Sequence, residues 1–161
     1  LPVVYIIENN RYGMGTAVER ASSIANMHVR GDTYSMANEV VDGQDVFAVR
    51  DATQEAIDRA RKDYAPTLLE VRTYRFMGHS MSDAASGTYR TKDELEQYRK
   101  RDPINLLKGK MQADKSLSDA DLTAMEAEIG ATVQDSWDFA DASPEPPLEA
   151  LYEDVYVGTS T

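Results

Sequence analysis

Two short stretches carry side chains whose types and spacing could do chemistry. The first is Glu8-Asn9-Asn10-Arg11-Tyr12-Gly13-Met14-Gly15. An amide oxygen is a neutral ligand for hard cations, and Asn10 with a main-chain carbonyl two residues later could face one ion from a single turn. Gly13 and Gly15 permit a backbone that turns tightly or lets a ligand approach closely. The second stretch is Gly78-His79-Ser80-Met81-Ser82-Asp83. Histidine changes charge near neutral pH, so His79 can donate to an anion or shuttle a proton. The chain has only one other histidine, His28, which belongs to no motif and is assigned no function. Ser80 and Ser82 lack the strand-to-helix elbow of a nucleophilic serine, so a Ser-His-Asp hydrolase is not implied. The plainer meanings are a turn at Asn9-Asn10 and a polar loop around His79.

Both stretches follow expected strands. Val3–Ile7 is an unbroken apolar run, β-branched at four of its five positions, as in a strand buried on both faces of a parallel sheet. Such a central strand at the start of the sequence predicts a C-terminal portion of a longer subunit. Thr67–Phe76 reads as a second long strand, with Leu69, Val71 and Thr73 on one face. Ligands in open α/β sheets sit beyond the carboxyl ends of the strands, where both stretches fall.

Between these strands, Ile24–Met27 is expected to form a short helix and Asn38–Gly43 a strand closed by an Asp-Gly turn. Gln44–Asp63 places Val46, Val49, Ala52, Ala56, Ile57 and Ala60 along one helical face, and Ala65-Pro66 ends it. Strand, helix and strand at this spacing give right-handed βαβ units. Residues 77–90 show no periodicity and read as a loop. Thr91-Lys92-Asp93-Glu94 reads as a capping box, and Asp102-Pro103 as the opening of a helix with Ile104, Leu107 and Met111 on one side. A longer helix starts at Ser118, with a stripe of Leu122, Met125, Ile129, Val133, Trp137 and Ala140 that is expected to pack against its own domain or a partner subunit. Pro144, Pro146 and Pro147 end it. The fold class is α/β: part of a parallel sheet flanked by helices over residues 1–90, and a helical extension of the same domain over 91–161.

Composition narrows the partners. With 28 acidic against 17 basic residues the net charge is −11, a surface that repels nucleic acid. No cysteine is present, which excludes disulfides, thiolate zinc sites and a cysteine nucleophile. No run approaches the roughly 20 apolar residues of a membrane helix.

The string ENNRYGMGT resembles the closing half of the thiamin-diphosphate motif, which opens with Gly-Asp-Gly about thirty residues earlier. With GHSMSD at 78–83, YRT at 89–91 and SPEPPLEAL at 143–151, the chain resembles the alpha subunit of the decarboxylating component of pyruvate dehydrogenase over nearly its whole length. The resemblance implies a thiamin-diphosphate-binding fold. It implies that Asn10, Tyr12, Gly13 and His79 bind the cofactor and that Mg²⁺ is held by the Asn10 side chain and the Tyr12 main-chain oxygen. It makes His79 the catalytic residue over the cofactor.

The family's third metal ligand, the Asp of Gly-Asp-Gly, is absent here, so the chain alone is expected to be inactive. Ser80 falls at a loop serine whose phosphorylation silences mitochondrial members. Thr88 lies near a second such site in an altered register, and Ala17 replaces another. The implied partners are a beta subunit in a heterotetramer, a lipoyl-bearing acyltransferase component and pyruvate, in a bacterial cytoplasm or a mitochondrial matrix. Glu8 and the His79–Asp83 segment follow the pyruvate pattern, and Ala84 departs from the usual Asp-Pro. The alternatives are a branched-chain 2-oxo acid or acetoin relative, or an inactive fragment acting only in assembly.

Overall fold

A computed structural model describes residues 1–83, 87 and 89–157. The chain divides into two units, Leu1–Asp114 and Lys115–Thr161. In the first unit, β1 (Val4–Asn9), β4 (Ala37–Asp42) and β5 (Thr67–Arg72) form a parallel sheet in the order β1-β5-β4. Helix α2 (Val46–Asp63) connects β4 to its neighbour β5, the expected βαβ unit.

The doubly buried strand is β5, and this corrects the expectation for the first run. From Thr67 through Val71 every residue of β5 is buried. Among the described residues β1 pairs with β5 alone and lies at the edge of the sheet, leaving Tyr5 47% and Ile6 55% exposed. The β-branched run favours an extended backbone in either position, so composition could not separate centre from edge. β5 also ends at Arg72 rather than Phe76.

α2 covers the sheet with small side chains. Ala56 and Ala60 are buried, and Ala48, Val49 and Ala52 are partly so, against a core of Val41, Leu69 and Val71. Alanines at the contact allow the helix axis to approach the sheet closely and lose little side-chain entropy on burial. Val46, expected on this face, is exposed. Asp45 caps α2, its carboxylate accepting from Phe47 N at 2.9 Å and Ala48 N at 3.4 Å, and Tyr64 ends it in the left-handed conformation. Those two N–H groups hold the Asp45 carboxyl below its usual range.

The expected helix at Ile24–Met27 is absent. A 3-10 helix runs from Met27 to Tyr34 instead, after a short hairpin, β2 (Tyr12–Gly13) and β3 (Thr16–Ala17), and one helical turn, α1 (Val18–Ala21). The unit closes with α3 (Lys92–Arg99) and α4 (Pro103–Ala113). Asp102 caps α4 through Ile104 N and Asn105 N, with proline at its start as expected. Ile104, however, is exposed.

The second unit is built on α5 (Asp119–Ala142) and a 3-10 turn, Leu148–Tyr152. Ser118 and Asp121 form a complete capping box. The stripe has the expected spacing, yet Met125, Ile129, Val133 and Trp137 are all exposed, Trp137 by 72%. Among the described residues no helix is long and apolar enough to cross a membrane.

Candidate functional site at the carboxyl edge of the sheet

Parallel pairing brings the two chemistry-bearing stretches to one edge. Asn9 lies opposite Arg72 in the register, and Thr73 N donates to Asn9 O at 3.0 Å one step further on. The turn after β1 and the segment after β5 therefore leave the sheet side by side.

The turn after β1 is made by its two asparagines in succession. Asn9 Oδ1 accepts from Arg11 N at 3.1 Å, and Asn10 Oδ1 accepts from Tyr12 N at 3.2 Å. These Asx turns hold Arg11 at φ 76°, a left-handed conformation that a side chain normally avoids. The two residues then diverge. Asn9 is buried, and its amide donates to Glu70 Oε1 at 2.9 Å. Asn10 is half-buried beside a cavity of about 240 Å³ lined by Ile7, Asn9, Asn10, Tyr12, Gly13 and Met27 among others. An amide oxygen has two lone pairs, so Asn10 Oδ1 keeps one beyond its turn bond. A Cβ added at Gly13 would meet nothing within 4 Å, so this side of the hairpin is open.

Glu70 anchors the turn from below. It is fully buried and accepts from Asn9 Nδ2, from His28 N at 3.0 Å and from Arg72 Nε at 3.1 Å. Burial alone would raise its pKa. The three donors outweigh burial and hold the carboxyl below the usual glutamate range. His28 enters this network by its backbone, while its Nδ1 lies 2.8 Å from Asn38 Oδ1.

The segment after β5 carries the second stretch. His79 N donates to Asp83 Oδ2 at 2.9 Å, and Tyr89 Oη donates to the same oxygen at 2.9 Å. These donors hold the Asp83 carboxyl below its ordinary value. Gly78 permits the loop to close: a Cβ there would lie 2.0 Å from Asp83 O. Ser80 and Ser82 are exposed, with their hydroxyls 3.0 Å apart.

Arg75 ties loop to hairpin. Its Nη2 donates to Met14 O at 2.8 Å and to Tyr89 Oη at 2.9 Å, and its Nη1 lies 3.5 Å from His79 Nδ1. The structure thus links the Asn10–Gly13 hairpin with His79. Ser80 adjoins the linked group without joining it. Thr88 lies outside the described residues.

An aromatic cluster supports this edge. The phenols of Tyr12 and Tyr74 both donate to Glu94 Oε1, at 2.9 and 3.1 Å. Burial, and then Glu94, pushes both phenols up to about 12. The buried Arg90 guanidinium lies 5.1 to 6.0 Å from the ring centroids of Tyr12, Tyr74 and Tyr89 and donates to the carbonyls of Arg75 and Met77.

Comparison with known proteins identifies the fold's owner. The family described as "Dehydrogenase E1 component" matches residues 1–149. The chain belongs to the dehydrogenase E1 component family. Among its relatives, the pyruvate dehydrogenase E1 component subunit alpha of Rhizobium meliloti (strain 1021) is 43% identical over 156 residues, covering 96% of this chain and 44% of the relative. The mitochondrial subunit alpha of Sminthopsis macroura is 45% identical over 157 residues, 97% of this chain and 42% of the relative. The somatic, mitochondrial form of Homo sapiens is 44% identical over 157 residues, 97% of this chain and 40% of the relative. The chain spans under half the length of these relatives.

In this E1 component chain, sequence reasoning missed Arg75, Arg90, Glu94 and Glu70. Arg75 and Glu70 were hidden inside a strand pattern. Glu94 was hidden because Thr91-x-x-Glu94 satisfies the capping-box pattern. Only half the box forms: Thr91 Oγ1 accepts from Glu94 N at 3.1 Å, while the Glu94 carboxylate takes the two phenols. Among the described residues no group of three or more His, Cys, Asp or Glu could hold a metal ion.

Proposed function

We propose that the chain acts as part of the alpha subunit of an acetyl-transferring pyruvate dehydrogenase E1 component, which decarboxylates pyruvate oxidatively and passes the acetyl group to lipoamide. The observation that carries this reading is identity of 40–45% over nearly the whole chain to relatives named pyruvate dehydrogenase E1 component subunit alpha. The cofactor is thiamin diphosphate with Mg²⁺, and the partners are a beta subunit and a lipoyl-bearing acyltransferase component.

The residues present suit that group. The Asn10 amide oxygen and the Tyr12 main-chain oxygen are the hard, uncharged donors Mg²⁺ takes, and a diphosphate supplies further oxygens. Gly13 leaves room on the hairpin for the diphosphate. When bound, the cofactor supplies the carbanion chemistry of 2-oxo acid decarboxylation, and the protein binds and orients it. His79 is the catalytic residue of this reading. A histidine side chain at that position can donate a hydrogen bond to a phosphate oxygen or shuttle a proton. Arg75 holds the histidine's loop against the hairpin and adds positive charge where a diphosphate would lie.

The test uses the assembled enzyme: this chain with whatever further alpha-subunit sequence the native protein carries, and with the beta subunit. Asn10→Ala should raise the Mg²⁺-thiamin diphosphate concentration needed for half-saturation by tenfold or more, on the order expected for loss of a ligand or its support. An unchanged titration would remove Asn10 from the site.

A further inference from the structure

Glu94 does something that its place in the sequence does not announce. A glutamate three residues after a helix-capping threonine ordinarily reaches back to the cap's own N–H. Here the Glu94 carboxylate turns away, and one oxygen, Oε1, accepts both the Tyr12 phenol at 2.9 Å and the Tyr74 phenol at 3.1 Å. Tyr12 is the residue whose backbone N–H closes the Asn10 turn, and Tyr74 follows β5 two residues after Arg72. A single atom on α3 thus joins the two segments that leave the sheet side by side. The surroundings keep it there. The Tyr12 and Tyr74 rings meet edge-on at 6.5 Å, Tyr74 stacks on Tyr98 of α3 at 3.8 Å, and the Arg90 guanidinium lies over both tyrosine rings.

We propose that Glu94 is a positioning residue for the cofactor site, fixing the Asn10–Tyr12 turn through the Tyr12 phenol and holding it against the segment that leads to His79. It touches neither cofactor nor metal and acts through Tyr12. The inference rests on the cofactor-site reading above. Groups that orient the residues around a metal are worth roughly 10–100-fold in its affinity.

The experiment titrates Mg²⁺-thiamin diphosphate calorimetrically into the assembled enzyme carrying Glu94→Ala, Glu94→Gln or Tyr12→Phe, with Asn10→Ala alongside. Glu94→Ala should weaken binding about tenfold. Glu94→Gln keeps an Oε1 acceptor for the phenols and should restore most of the affinity. Tyr12→Phe removes one hydroxyl and should weaken binding in the same direction as Glu94→Ala. It decides the matter if Glu94→Ala fails to assemble, and unchanged affinity in Tyr12→Phe then overturns the proposal. A lower melting temperature in Glu94→Ala with intact affinity would mean that Glu94 only supports the fold, which also overturns it. Tight binding by the Glu94 and Tyr12 variants beside weak binding by Asn10→Ala defeats the Glu94 inference alone. Tight binding by all of them, Asn10→Ala included, defeats the site reading and this inference together.

Discussion

Adjacent asparagines in this chain have opposite fates. Asn9 spends its amide on a buried carboxylate and its oxygen on the turn, while Asn10 keeps acceptor capacity at the cavity. Glu70 is the reason Asn9 is fixed, and its removal should be costly. Replacing Glu70 with alanine leaves the buried Asn9 amide and the His28 N–H without their acceptor, breaks the Arg72 pair, and should destabilise the chain by about 3–5 kcal/mol, read from denaturant midpoints. The pH dependence has a definite sign. The folded state holds the Glu70 pKa below the ordinary 4.5, so the stability it contributes is present above that value and is lost as pH falls through the folded pKa. Glu70→Gln should flatten the decline in stability on acidification below 4.5; parallel curves for variant and wild type would contradict this. Ser80 makes a separate case. It adjoins His79, whose loop Arg75 ties to the hairpin. Charge added there would oppose a bound diphosphate, so Ser80→Glu should lower turnover at saturating cofactor while Ser80→Ala stays close to wild type. Equal turnover in all three would show that the loop does not approach the diphosphate.

β5 carries the sheet. Leu69 is fully buried at the centre of the strand, between β1 and β4, and packs in the core with Ala56 of α2. Leu69→Ala should cost roughly 2–5 kcal/mol, measured by thermal or denaturant unfolding. Trp137 is the contrasting case. A buried ring would cost about 3–5 kcal/mol on truncation. With 72% of its surface exposed, Trp137→Ala should change the stability of this chain by less than about 1 kcal/mol, and a large loss would show that the ring is buried.

These two residues mark how far the elements were legible. Local signals located α2, α4 and α5 within about two residues, because each is written in neighbouring side chains: the apolar spacing closed by Ala65-Pro66, the Asp102-Pro103 pair and the start at Ser118. Strand identity was legible from composition, but sheet position was not. The first run was expected at the centre and forms an edge, since pairing order depends on contacts distant in sequence. The same holds at the site. Asn10 and His79 stood out by residue type and setting, whereas Arg75 and Glu94 act through partners far along the chain, Met14 and Tyr12.

At the scale of the whole molecule, the site residues named here all fall within Leu1–Asp114, so one folded unit supplies both the hairpin and the histidine loop. Arg75 and Arg90 at this edge are committed to the local network, donating to Met14 O and Tyr89 Oη and to the carbonyls of Arg75 and Met77. The proposed role of this edge is thiamin-diphosphate-dependent decarboxylation of pyruvate. Carbon dioxide release from pyruvate tests it most directly. The measurement compares pyruvate with a branched-chain 2-oxo acid, using the assembled alpha and beta subunits with and without Mg²⁺-thiamin diphosphate. The expected result is cofactor-dependent release that favours pyruvate and needs a higher cofactor concentration in Asn10→Ala. Release that is independent of the cofactor, that prefers the branched-chain acid, or that follows the same cofactor titration in Asn10→Ala would contradict it.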